Sequence, residues 1–201
     1  PGSAASKLFP ALASEAGLDM DAVDILSVQP NLQEQMLLQG DVDASLVFNV
    51  TSYLNLIGLG KDPDTEYRFI GYGDAGLDIY SNGVMVSREL YEENPEAVAG
   101  LVRAINRAVM EIIADPTLGG STVKTVEPLI DEELETMRLN FALDNLITSA
   151  ESLELGVGAV DMDRLARTIG IIQSVYEFET APEASTIFTD EFLPPLEERA
   201  L

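Results

Sequence analysis

Three groups of residues in this sequence combine types and placement suited to holding a small polar molecule. Gly2, Ser3 and Ala4 lie where a loop opens a helix, and the free N–H groups and helix dipole there favour an anion or a ligand carbonyl. The competing readings are that Ser3 only caps the helix, or that Pro1-Gly2-Ser3 is a cloning scar. Phe48 and Asn49 fall where a strand-like run gives way to a helix-like one. In a parallel sheet, ligands collect beyond the carboxyl ends of strands. There an Asn amide both donates and accepts, and a Phe ring can stack on a flat ligand; the alternative puts Phe48 in the core and Asn49 at an N-cap. Pro30 and Asn31 occupy the matching end of the preceding strand-like run. Tyr72, Asp74, Asp78, Tyr80 and Asn82 crowd a stretch punctuated by Gly71, Gly73, Gly76 and Gly83. Tyrosines offer a flat apolar face with a polar tip, and the plain alternative is a glycine-rich surface loop with solvated acids.

What is missing narrows the chemistry further. The 201 residues include no His and no Cys. That removes imidazole and thiol nucleophiles, Ser-His-Asp machinery, disulfides and the commonest zinc, haem and iron–sulfur ligand sets. No cofactor and no catalytic residue is expected. Acid pairs such as Glu92-Glu93 and Asp131-Glu132-Glu133 read as helix starts and exposed stretches rather than metal or glycosidase sites. Eleven Lys and Arg against 35 Asp and Glu leave a net charge of −24. Such a surface repels phosphate backbones and anionic headgroups, so nucleic-acid binding and membrane docking are not expected. No apolar run reaches membrane-spanning length.

The elements that must position these residues follow from periodicity and punctuation. Helices are expected over Ser3 to Ala16, Leu32 to Gln39 and Val50 to Ile57, with Gly17 and Gly40 as C-terminal stops. Pro10 is tolerable in the first of these if Ser6 is the N-cap. Strands are expected over Val23 to Val28, Ala44 to Phe48, Tyr67 to Tyr72 and Gly83 to Ser87. After Ser87 only helices are expected. One is capped by Asn94-Pro95 and ends at Asp115-Pro116. A second carries Leu134, Met137, Phe141 and Ile147, a third Leu165, Ile169, Ile172 and Tyr176, and an irregular tail follows from Pro182. Strands alternating with helices predict an α/β fold with a parallel sheet. The later helices have no strands of their own to cover, which reads as a fragment.

Several segments also carry a family resemblance. They are PGSAASKLFPALASEAGLD, QGDVDASLVFN, NGVMVSRELYEENPEAVAGLVRAINRA, GVGAVDMDRLARTIGIIQSVYEF and ASTIFTDEFLPP, in that order. Together they resemble the substrate-binding proteins of ABC importers, in the SsuA-like branch that handles nitrate, sulfonates, taurine and thiamine-pyrimidine precursors. The resemblance implies a periplasmic-binding-protein-like (type II) bilobal fold with a ligand in the cleft between lobes. Residues 1–82 would be the second α/β lobe without its first strand. Residues 83–201 would be a crossing strand and the C-terminal helices of the first lobe, with about a lobe's worth of chain, ~100 residues, upstream. The implied function is capture of a small molecule in the periplasm and delivery to the transporter's permease. Gly2, Ser3, Ala4, Asn31, Phe48, Asn49, Tyr72, Asp74, Tyr80 and Asn82 would be the ligand contacts.

Charge bears on the ligand. Before Gly83 stand three basic residues, Lys7, Lys61 and Arg68, against twelve acids. None of the three falls in a loop expected to face the ligand, so a neutral or cationic aminopyrimidine suits this region better than a sulfonate or nitrate. Two other functions share the fold. Pyrimidine synthases of the same family depend on a His and a Cys-rich motif, neither of which occurs here. Effector domains of bacterial transcription factors accompany a basic DNA-binding domain, which is also absent from this sequence.

Overall fold

In the computed structural model, residues 3–201 are described. They are helical, and no β-strand occurs among them. The α/β expectation is therefore corrected, and with it the sheet-based bilobal, periplasmic-binding-protein-like (type II) fold. The physical reason lies in what a strand needs. A β-branched run forms a strand only when a neighbour's backbone satisfies its N–H and C=O groups. No backbone hydrogen bond joins one of the four expected segments to another among the described residues. Several of their apolar side chains stay in solvent instead, with Ile70 65% and Met85 93% exposed.

The chain divides into two units. The first takes in the described residues up to Ile79 together with Gly170–Thr180, and the second Tyr80–Ile169 and Ala181–Leu201. In the first unit, α1 spans Ala4–Glu15, with Ser3 as its N-cap. Ser3, not Ser6, takes that role. Its Oγ accepts from the Ser6 N–H at 3.2 Å, and Ser6 donates its hydroxyl back to the Ser3 carbonyl. Pro10 is thus well inside the helix, where it removes the N–H that would have bonded Ser6. Gly17 stops α1 in the left-handed conformation at φ +66°, and Leu18 N–H reaches back to the Ala13 carbonyl at 2.7 Å. Next come α2 (Gln33–Gln39), closed by Gly40, then α3 (Asn49–Gly58) and the single turn α4 (Pro63–Glu66). Leu8 and Ala13 of α1, Leu54 and Leu56 of α3, and Leu77 are the buried apolar side chains of this unit.

The second unit begins with α5 (Arg88–Glu93), which the sequence reading missed, and α6 (Pro95–Ala114), which it anticipated with its Asn94 cap. Asn94 Oδ1 accepts from the Ala97 N–H at 3.2 Å. The next pair, α7 (Thr117–Val126) and α8 (Glu132–Ala142), form a close hairpin. A Cβ on Gly120 of α7 would fall 2.1 Å from Thr136 Oγ1 and 3.1 Å from the Glu132 carbonyl oxygen of α8. The hairpin's second helix continues as a π-helical turn over Leu143–Ile147. Then follow α9 (Ala150–Leu155), α10 (Met162–Tyr176, whose last turns belong to the first unit) and α11 (Ala184–Ile187). Val98, Leu143, Val157 and Leu165 are buried here.

Candidate ligand-binding site

The first unit brings several expected site residues to two helix starts. Tyr72 adopts a helical backbone conformation, a 3-10 turn follows over Gly73–Ala75, and Gly76 reverses the chain at φ +93°. The Leu77 N–H then bonds the Tyr72 carbonyl at 2.9 Å. This closed loop aims the Tyr72 side chain at α1, where its hydroxyl donates to the Ala5 carbonyl at 2.7 Å. Burial of the phenol raises its pKa above the ordinary tyrosine value. Asp74 stands exposed on the same loop. Its carboxylate lies close to Gly71, where a Cβ would come within 2.6 Å of Oδ2, so a larger residue at 71 would have to displace the exposed Asp74 side chain. Ser3 and Ala4, at the opening of α1, are exposed. Ser3 is engaged as the cap, and Gly2 lies outside the described residues.

At the start of α3, Phe48 holds the N-cap position through its carbonyl, which accepts from the Thr51 and Ser52 N–H groups at 3.1 Å each. Its ring is 47% exposed rather than in the core. Asn49 is the first helical residue, and its Oδ1 accepts from the Val50 N–H at 2.8 Å. Asn31 is exposed in a 3-10 turn over Pro30–Leu32 that leads into α2. The chain before Phe48 is tied to α2 by Gln33 Nε2, which donates to the Leu46 carbonyl at 3.2 Å.

One residue beside this region was missed entirely. Glu34 of α2 is buried, and its Oε1 accepts from Ser52 Oγ at 2.6 Å and Asn55 Nδ2 at 3.3 Å. These neutral donors on α3 satisfy the carboxylate and pin α2 to α3. The only sequence signal was a polar residue beside apolar ones in a short helix, which does not distinguish a buried acid from a solvated one.

Of the basic residues of the first unit, Lys7 lies in the first turn of α1, its N–H bonding the Ser3 carbonyl at 3.1 Å. Lys61 is held by Glu66 at 3.0 Å, and Lys7 lies 5.5 Å from the Tyr176 ring centre. Arg68 is exposed.

Tyr80 and Asn82 belong to the second unit. Asn82 is exposed. Tyr80 enters a polar network at the start of α10. It donates its hydroxyl proton to Glu151 Oε1 and accepts from the Asp161 N–H at 2.9 Å. Arg164 places its guanidinium 4.3 Å from the Tyr80 ring centre and bonds Glu151 Oε2 at 3.1 Å. The Tyr80 N–H donates to Thr168 Oγ1 at 3.3 Å. Burial, and then the bond to the Glu151 carboxylate, raise the Tyr80 pKa. Asp161 caps the helix, its Oδ1 accepting from the Asp163 and Arg164 N–H groups at 2.8 and 3.1 Å, and these N–H donors lower its pKa.

Exposed helix starts with neutral donors, a half-exposed Phe and a half-buried Tyr are groups of the kind that contact small polar molecules. The NMT1/THI5-like family model matches residues 1–118, and so takes in every candidate residue above. The chain belongs to the NMT1/THI5-like family. This is the family of SsuA-like substrate-binding proteins for nitrate, sulfonates and thiamine precursors. The match ends within α7, so the segments after residue 118 that entered the sequence resemblance lie beyond it. No curated protein matches the chain. Among the described residues no helix is long and apolar enough to cross a membrane.

Proposed function

We propose that this NMT1/THI5-like chain is the solute-binding component of an ABC importer, taking up a small heterocycle in the periplasm and passing it unchanged to the permease. Family membership across residues 1–118 is the observation that carries this reading. The placement of charge favours a neutral or cationic ligand of the aminopyrimidine kind over a sulfonate or nitrate. Lys61 is already ion-paired and Lys7 sits over an aromatic ring, while Asp74 stands exposed beside Tyr72. The proposed contacts are Ser3, Ala4, Tyr72 and Asp74 around the start of α1, Phe48 and Asn49 at the start of α3, and Asn31 in the turn before α2. Tyr80 has both hydroxyl and ring engaged in the second unit, and it is left out with Asn82.

Two-dimensional NMR of the chain with a hydroxymethyl-4-aminopyrimidine tests the assignment. Amides at the starts of α1 and α3 are expected to shift in a saturable way. Uniform small shifts, or shifts confined to residues after 118, would refute it.

A further inference from the structure

A groove lies along one face of α6, far in sequence from the contacts just proposed. Arg103, Asn106, Arg107, Met110 and Ala114 follow the i, i+3, i+4, i+7, i+11 spacing of a helix stripe, and Pro194 walls the groove they line. Its volume is about 540 Å³, within the range of small-molecule sites. The stripe is graded. Its first residues are polar, while Met110 and Ala114 give an apolar surface some 10 Å further along the axis at helical rise, beside Glu111, whose carboxylate is taken up by Arg107.

Two polar groups in it lack partners. Asn106 is only 6% exposed, and its Oδ1 is buried with no hydrogen-bond donor, while its Nδ2 donates to the Val102 carbonyl at 3.4 Å. The amide also packs on Gly158, where a Cβ would stand 3.4 Å from Nδ2. A buried acceptor without a donor is costly, so its retention in a groove wall calls for a donor from elsewhere. Among the described residues Arg103 has no carboxylate partner, although the chain carries 35 acids. Its neighbour Arg107 is held by Glu111 at 2.8 Å and so is already neutralised. Glu198, also lining the groove, adds a second acceptor.

A cation with no ionic partner among the described residues, a buried acceptor, the Glu198 carboxylate and an apolar surface together suit a small aliphatic zwitterion. We infer that this groove binds an aliphatic α-amino acid. The carboxylate would pair with Arg103, the ammonium would face Asn106 Oδ1 and Glu198, and the side chain would lie on Met110, Ala114 and Pro194. The inference is independent of the importer reading.

Calorimetric titration of the chain with leucine, 4-methylpentanoate and isoamylamine tests it, since the three share one aliphatic group and differ in charged ends. Leucine is expected to bind tightest. Arg103→Gln should weaken leucine at least about tenfold and leave the amine unchanged. Asn106→Leu should weaken leucine without lowering Tm, because it removes an unpaired buried acceptor. No leucine binding at millimolar concentration, equal binding of leucine and 4-methylpentanoate, or leucine binding unaffected by Arg103→Gln would each overturn the inference.

Discussion

The Tyr72 hydroxyl is a single group whose removal can be read cleanly, because its bond to the Ala5 carbonyl, the one it makes among the described residues, ties the loop to α1. Tyr72→Phe keeps the ring and is expected to cost about 1 kcal/mol in urea unfolding. The same phenol gives a pH signature. Its pKa is raised above 10.0 by burial, so the folded state holds the proton more tightly than the unfolded one. Its stabilising contribution is complete below pH 10.0 and fades as pH rises through the folded-state value. Tyr80 is raised in the same sense, so Tyr72→Phe should blunt the alkaline loss of stability without abolishing it. Phe48, half-exposed at the start of α3, lies outside the core, and the proposed function makes it a ligand contact. Phe48→Ala should weaken ligand binding about fivefold, as loss of one ring stack implies, and shift stability by no more than about 0.5 kcal/mol.

At the scale of elements, the hairpin of α7 and α8 makes a graded prediction. Gly120→Ala sets a Cβ against Thr136 Oγ1 and the Glu132 backbone, neither of which can move aside without parting the helices. A loss of about 1–3 kcal/mol is expected. Gly119→Ala meets Leu139 Cδ2 at 2.3 Å, the far end of a flexible side chain, and should cost less. Thermal unfolding of the two variants side by side checks the order. The start of α10 responds to acid. Asp161 has a pKa lowered from 3.8 chiefly by the Arg164 N–H, so its cap is present above pH 3.8 and is lost as pH falls through the folded-state value. Asp161→Asn should remove that acid-side loss, as a pH series of melting curves would reveal.

Helix α6 was readable because Asn94-Pro95 and the apolar period from Val98 reinforce each other within one segment. Gly17 and Gly40 were readable because a left-handed helix stop favours glycine whatever packs around it. The strands were not. Val23 to Val28 has strand composition, but composition names a candidate and cannot supply the neighbour whose backbone completes it. Helices α5 and α7 were hidden by acidic or Gly- and Thr-rich sequence that lacks a continuous apolar stripe. Of the candidate site, the helix start at Ser3 was legible from type and position, but the bond that joins Tyr72 to α1, 67 residues apart in sequence, was not. The pairing of Glu34 with Ser52 and Asn55 was invisible for the same reason.

For the whole molecule, the net charge of −24 sets the response to salt. Self-repulsion among 35 acids is screened as ionic strength rises, so Tm should increase between low and physiological salt. Membership of the NMT1/THI5-like family, with no His or Cys in the sequence, makes ligand capture rather than turnover the central claim. The most direct measurement is calorimetric titration of the chain with a hydroxymethyl-4-aminopyrimidine, taurine and nitrate, followed by mass spectrometry of the recovered ligand. The account predicts saturable one-to-one binding, tightest for the aminopyrimidine, with its mass unchanged. A changed mass, or no saturable binding by any of the three, would contradict it.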